Sequence, residues 1–248
     1  MRSIIRAIYR VRKETAVQDK YRPSCASAAL WILIATLVGC ACLPARPEQE
    51  RLARVEALAL LQTLNADLLS HDSATQTLQR WCADHALAEP PRIVARRMRE
   101  ANKPLPDDLR AQLGVAAAEP IAYRHVQLMC GEHALSEADN WYVPSRLTAQ
   151  MNRQLENSDE PFGKVVQPLG FQRRTLSVQL LWSPLPQGWE MSAQSDRAPL
   201  RIPHAVLRHQ AVLYTSAQVP FSAVVETYTN KLFEFGTLAR FLAASGSD

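Results

Sequence analysis

Apolar positions follow a helical spacing over the first third of the chain beyond residue 50. Leucines and a valine recur there every three or four residues, which predicts a helix: Leu52, Val55, Leu58, Leu61, Leu64 and Leu68. A polar break at residues 70–73 divides the pattern, and Asp72 or Ser73 suits the N-cap of a second helix. Pro90 and Pro91 predict the end of that second helix.

From residue 122 onward the pattern changes to the alternation of half-buried strands. Strands are predicted near 123–130, 134–142, 171–182, 206–215 and 221–229, with a shorter strand near 93–98. Short helices are predicted near 105–109 and 148–155, and a polar loop over 184–203. Helices first and strands afterwards predict an α+β fold, an antiparallel sheet with helices packed on it.

The first 43 residues have the composition of a targeting segment. A basic stretch precedes an almost uninterrupted apolar run over 26–43, and Leu37-Val38-Gly39-Cys40 has the pattern of a bacterial lipobox. These features predict a leader over 1–39, a lipid on Cys40 and a periplasm-facing lipoprotein, with an uncleaved N-terminal membrane anchor as the alternative. The remaining chain then divides into a tether (40–49), one domain (50–235) and a C-terminal tail (236–248).

Charge and cysteine usage exclude several classes of function. The net charge of +4 comes from the leader, so no nucleic-acid partner is predicted for the domain. Zinc-type Cys-x-x-Cys pairs and paired histidines on a helix are missing from the sequence, so no metal site is expected. Cys82 and Cys130 can form a disulfide in an oxidising compartment, although spacing alone leaves their pairing open.

Two charged residues stand in apolar strands. Arg124 shares a strand face with Val126, Leu128 and Cys130, and Glu226 lies within the apolar run 223–228. A guanidinium stays ionised, and burying it without a partner is very costly. Arg124 therefore either reaches water at a strand end, binds an anion, or forms an internal salt bridge with Glu226.

Four segments in a fixed order carry a resemblance to a known family. They are an Asp-Ser-x-Thr sequence after a leucine-rich helix, an arginine-bearing strand, a Val-Pro corner followed by Pro-Phe-Gly-Lys, and a late strand with an internal glutamate. In this chain they occupy residues 68–75, 123–130, 140–164 and 220–226. With them the chain resembles the chorismate pyruvate-lyase family over most of the predicted domain.

That resemblance implies a chorismate lyase-like fold with a small closed pocket. It also implies cleavage of chorismate into 4-hydroxybenzoate and pyruvate, for ubiquinone biosynthesis, without metal or organic cofactor. By the same resemblance, Arg124 and the backbone at Phe162 would bind the ring carboxylate. Glu226 would lie at the ring hydroxyl and handle protons, which makes Arg124 and Glu226 the catalytic pair. The backbone at Ala74 would close the pocket from the helical side.

The sequence thus predicts a lyase whose partners are a small aromatic acid and, through the lipid, the membrane. No obligatory protein partner is evident. Two alternatives stay open at this point. One is a lipoprotein that binds a small aromatic carboxylate in the same pocket without converting it. The other is an interaction-only role with the pocket filled by Phe162 and an Arg124–Glu226 pair.

Overall fold

A six-stranded antiparallel sheet forms the centre of the domain. The computed structural model describes residues 46–99, 102–191 and 198–245. The strands are β1 (Ile93–Arg97), β2 (Ala122–Cys130), β3 (His133–Tyr142), β4 (Gln172–Leu180), β5 (Ala205–Tyr214) and β6 (Pro220–Thr229). Their order across the sheet is β1-β2-β3-β6-β5-β4. The predicted α+β class is confirmed, and each predicted strand matches an observed one to within two residues at either end.

The described residues form six α-helices. They are α1 (Arg46–Ser70), α2 (Ala74–Asp84), α3 (Asp107–Leu113), α4 (Ala149–Asn157), α5 (Phe162–Val165) and α6 (Gly236–Ser245). The predicted break at 70–73 separates α1 from α2, and the Ser73 hydroxyl caps α2 by accepting from the Gln76 amide at 3.3 Å. In the region predicted as a tail, α6 buries Leu238 completely; residues 246–248 lie outside the described residues.

The sheet is packed on both faces. On one face, α1 and α2 insert fully buried leucines such as Leu61, Leu64 and Leu78 against β2 and β6. On the other face, Leu109 and Leu113 of α3 pack on the inner strands. Each fully buried leucine contributes roughly 1.5–3 kcal/mol relative to an exposed one. The face covered by α1 and α2 is also the face that carries Arg124.

A disulfide joins the helical layer to the sheet. Cys82 of α2 and Cys130 of β2 are bonded, with Cα atoms 6.0 Å apart and a sequence separation of 48. Closing a loop of that length stabilises the fold by about 4 kcal/mol in the chain-entropy model. The sequence left this pairing open, and the structure forms it.

The predicted leader, Cys40 and the first part of the tether lie outside the described residues. Within the described ranges, no helix is both long and apolar enough to cross a membrane.

Candidate functional site

A small cavity lies between the sheet and the helical layer. Its floor comes from β2, β3, β6, β5 and β4, and its roof from the loop before α2, the first turn of α2 and the start of α5. The walls are mostly apolar: Val126, Leu128, Phe162, Phe171, Leu213 and Val224. Its volume of about 40 Å³ has room for about three water molecules.

Arg124 enters this cavity from β2 and is 2 % exposed. Its guanidinium donates to the backbone carbonyls of Glu160 (3.1 Å) and Ser158 (3.2 Å). Among the described residues, no carboxylate lies within ion-pair distance of Arg124, and its buried Nε has no partner. Burial, and then the nearby charge of Arg97, lower the pKa of Arg124 to about 10. The side chain is therefore held in place by neutral oxygens, and the negative charge of Asp159 acts on it only from beyond ion-pair distance.

Asn140 lies directly opposite Arg124 in the β2–β3 register, so their side chains are neighbours on one face. The Asn140 Oδ1 accepts from the Ser222 hydroxyl at 2.7 Å. That bond directs the amide Nδ2, a donor, away from Ser222. Arg124 and Asn140 together form a donor-rich end of the cavity.

Glu226 pairs with Arg173 rather than with Arg124. The Arg173 Nη2 to Glu226 Oε2 distance is 2.5 Å, and the two side chains are 4 % and 8 % exposed. The Tyr228 hydroxyl donates to the same Oε2 at 3.1 Å. Burial alone would lower the pKa of Arg173, but Glu226, with smaller contributions from Tyr228 and Asp72, raises it. The internal Arg124–Glu226 salt bridge considered from the sequence is not formed.

Arg173 is the site residue that sequence reasoning missed. It lies on β4 opposite Leu213, two strands away from Glu226 in the sheet. The available signal was the Arg173-Arg174 pair inside a predicted strand, because alternation directs one of the two side chains inward. Nothing local indicates which one, since the neighbours on both faces are mixed.

His209 lies beside this ion pair and is completely buried. Its register partner on β6 is Glu226, and its ring packs edge-on against Tyr228 with centroids 5.4 Å apart. The Nε2 atom hydrogen-bonds to Asn65 Oδ1 at 2.9 Å. Burial, and then the charge of Arg173, lower the pKa of His209 to about 4, so the ring is neutral at pH 7.

The roof of the cavity is formed by two turns in close contact. A Cβ at Gly163 would lie 3.1 Å from Thr75 Oγ1 and 3.2 Å from Ser73 Oγ, so any larger residue there would require these hydroxyls to shift. The first amides of α2 have no partners within the helix, and Ala74 and Thr75 line the cavity, so this helix end favours an anion nearby. The Phe162 ring lies over the cavity, 5.5 Å from Tyr142.

The predicted site residues Ala74, Arg124, Phe162 and Glu226 all line this one cavity. Their roles toward a ligand stay predictions. The predicted lipidation residue, Cys40, lies outside the described residues. Across the described ranges, no cluster of three or more metal-ligating side chains is found.

A close relative in sequence is the uncharacterized protein y4mC of Sinorhizobium fredii (strain NBRC 101917 / NGR234). The two are 55 % identical over 188 residues, which cover 74 % of this chain and 79 % of the relative. No protein-family model matches the chain.

Similar solved structures match this chain at low sequence identity. PhnF from Mycobacterium smegmatis matches with a TM-score of 0.41 and 13 % identity over 64 % of each chain, less than two thirds of PhnF. Its effector domain alone is covered to 89 %. A GntR-family transcriptional regulator from Enterococcus faecalis V583 matches with a TM-score of 0.37 and 16 % identity, over 57 % of this chain and 97 % of the regulator. The observed architecture, a six-stranded antiparallel sheet with helices packed on it, is the α+β class predicted from the sequence.

These findings correct the predicted family and activity. The matching solved structures are regulator domains, not chorismate pyruvate-lyases, so the predicted membership of the lyase family is wrong. The predicted cleavage of chorismate for ubiquinone biosynthesis is wrong for the same reason, and the lipoprotein description that accompanied it is withdrawn. Nothing in the described residues supports the predicted membrane anchor. The cavity itself is of the kind that takes a small molecule, and its geometry does not depend on the lyase assignment.

Proposed function

The chain belongs to the family of the Sinorhizobium fredii protein y4mC, and we propose that this member is a binding domain for a small organic carboxylate. The cavity between α2 and the sheet is the binding site, and Arg124 is its anion anchor. The observation that carries the proposal is the buried guanidinium of Arg124, which has no anionic partner among the described residues.

An uncompensated buried charge is costly to keep. Carbonyl oxygens satisfy some of the N–H groups of Arg124 but leave its charge unneutralised. Replacing such a group by an apolar side chain is often neutral or stabilising, so fold stability alone gives little reason for an arginine here. A ligand carboxylate supplies the missing charge, and a guanidinium binds it with matched bidentate geometry.

The remaining walls determine which group the ligand can carry next to its carboxylate. They are apolar, so they favour a short aliphatic or aromatic group attached to the carboxylate. With about 40 Å³ free, a short-chain acid needs little rearrangement, whereas a ring needs Phe162 to swing away. Small aromatic acids are therefore the upper size class of the proposed ligands.

Calorimetric titration of the purified domain tests this proposal. The probes are a series of carboxylates from acetate and butyrate to benzoate and 4-hydroxybenzoate. For those acids that bind the wild-type domain, we expect Arg124→Met to weaken the affinity by about 100-fold or more, which corresponds to about 2.7 kcal/mol of binding free energy.

The matched control is Arg96→Met. Arg96 is exposed on β1, where it hydrogen-bonds to Gln127, and its loss should leave carboxylate binding unchanged. A wild-type domain that binds none of the series, or an Arg124→Met variant that binds as well as wild type, contradicts the proposal.

We also propose that the domain works in an oxidising compartment. Support comes from the bond between Cys82 and Cys130, because disulfides persist outside the reducing cytosol. Trapping free thiols in intact cells with an alkylating reagent tests it. Both cysteines should resist labelling until a reductant and denaturant are added, and immediate labelling would contradict this location.

A further inference from the structure

We propose that the Arg173–Glu226 ion pair makes the cavity select ligands with one negative charge over ligands with two. This inference rests on the carboxylate-binding function proposed above and names the charge class of the ligand. In this arrangement Glu226 is a resident anion: its carboxylate stays paired with Arg173, the second cation of the cavity.

The charges around the cavity leave one cation available. Arg124 and Arg173 are both buried, and Glu226 neutralises Arg173 at 2.5 Å. His209 beside the pair is neutral at pH 7. Asp72 lies exposed at the rim, where its Oδ1 accepts from the backbone amide of Arg173 at 2.8 Å, and its carboxylate adds a negative charge there. Among the described residues that line the cavity, Arg124 is the cation without a carboxylate partner, and the charge of Arg97 acts on it from outside the lining.

Strand register places the resident anion within reach of a ligand held by Arg124. Asn140 is opposite Arg124, and Glu226 is opposite Ala138, two residues further along β3 on the same face. Glu226 is thus offset from Arg124 by roughly 7 Å along the strands and by two strand spacings, roughly 10 Å, across them. Both side chains line the cavity and reduce this separation, so the remaining gap is one that a para-disubstituted benzene ring would bridge. A second carboxylate on such a ring would meet the Glu226 end of the cavity with no free cation to receive it.

Arg173 is ready to bind an anion once Glu226 loses its charge. Its side chain is 4 % exposed, and its Nε is buried without a partner in the described part of the chain. Replacing Glu226 by glutamine keeps the shape of the side chain and removes its charge. The cavity then holds two uncompensated guanidinium groups, one at each end, which is the arrangement that a dianion requires.

Two probes of equal shape separate charge from size. Terephthalate carries two para carboxylates, and 4-carbamoylbenzoate replaces one of them by a neutral amide. At pH 7 we expect the wild-type domain to bind 4-carbamoylbenzoate at least tenfold more tightly than terephthalate. In Glu226→Gln the preference should reverse, a change of at least 100-fold in the ratio of the two affinities. Glu137→Gln is the matched control, because Glu137 lies on β3 outside the cavity and pairs with Gln127.

Equal binding of both probes to the wild-type domain, or an unchanged ratio in Glu226→Gln, overturns the inference while carboxylate binding stands. If the wild-type domain binds neither probe nor any carboxylate of the earlier series, the proposed function fails and the inference fails with it. A wild-type domain that binds short-chain acids but neither probe also overturns the inference, while carboxylate binding stands. If Glu226→Gln does not fold, the double variant Arg173→Met/Glu226→Gln takes its place, since it also removes the cation that would lose its partner. It should keep the wild-type preference for the monoanion, and a preference for terephthalate there would also overturn the inference.

Discussion

The two buried arginines of the cavity are held in opposite ways. Arg173 forms an ion pair with the Glu226 carboxylate at 2.5 Å. Arg124 instead donates to backbone carbonyls at 3.1–3.2 Å and has no ion-pair partner among the described residues. Both lie in the same cavity and both are almost fully buried. Burial of a charge therefore does not by itself mark a ligand site: the paired Arg173 is part of the structure, and the unpaired Arg124 is the proposed anchor.

We expect the largest effect on stability from breaking the Arg173–Glu226 ion pair. Glu226→Ala leaves Arg173 buried without a counter-charge, and we expect a loss of about 3–5 kcal/mol in the free energy of unfolding. Arg124→Met should cost about 1 kcal/mol or less, because relief of an uncompensated charge offsets the lost hydrogen bonds to two carbonyls. Urea denaturation of the two variants measures the difference. Equal losses for both would remove the distinction between the two arginines.

The Arg173–Glu226 end of the cavity, where His209 lies, should also make the stability of the domain sensitive to acid. The pKa of His209 is lowered to about 4 in the folded domain, against about 6.5 in an unfolded chain. Between these pH values the unfolded state binds more protons than the folded state. The contribution of neutral His209 to the free energy of unfolding is therefore complete above pH 6.5 and is lost as the pH falls toward 4. We expect a loss of up to about 3 kcal/mol over that range.

Urea midpoints at pH 7 and pH 4.5 measure this acid sensitivity. The control is His209→Gln, which can still hydrogen-bond to Asn65 but does not titrate, and it should be less sensitive than wild type. An acid response of the same size in that variant would assign the sensitivity to other groups.

The smallest expected effect concerns the space at the Arg124 end. Phe162→Leu removes part of the ring that lies over the cavity, so benzoate and 4-hydroxybenzoate should bind about tenfold more tightly, or about 1.4 kcal/mol. Acetate is the internal control, since it needs no ring space and should bind as before. Weaker binding of the ring acids would mean that Phe162 contacts the ligand rather than blocks it.

Much of this site could be predicted from the sequence, because its signals are local. Alternation in 123–130 placed Arg124 on the inner face of a strand, and the same logic placed Glu226 in 221–229. The break at residues 70–73 and its cap follow from polar residues with a known local preference. Ala74, Phe162 and the two charges do meet around one cavity.

What could not be predicted depends on contacts between distant parts of the chain. The partner of Glu226 is set by the order β6-β5-β4, and Arg173 lies 53 residues earlier. The bond between Cys82 and Cys130 likewise requires knowing that α2 packs across β2. The lyase assignment was wrong for a related reason: short segments that accompany a fold were interpreted as evidence for one reaction performed on it.

The disulfide has a consequence for how a ligand enters. It links α2, whose first turn forms part of the roof, covalently to β2, which carries Arg124, and so limits how far these two walls can separate. The turn at Phe162 and Gly163 approaches α2 at Ser73 and Thr75 without such a bond. Making room for a larger ligand should therefore require less of the α5 turn than of α2.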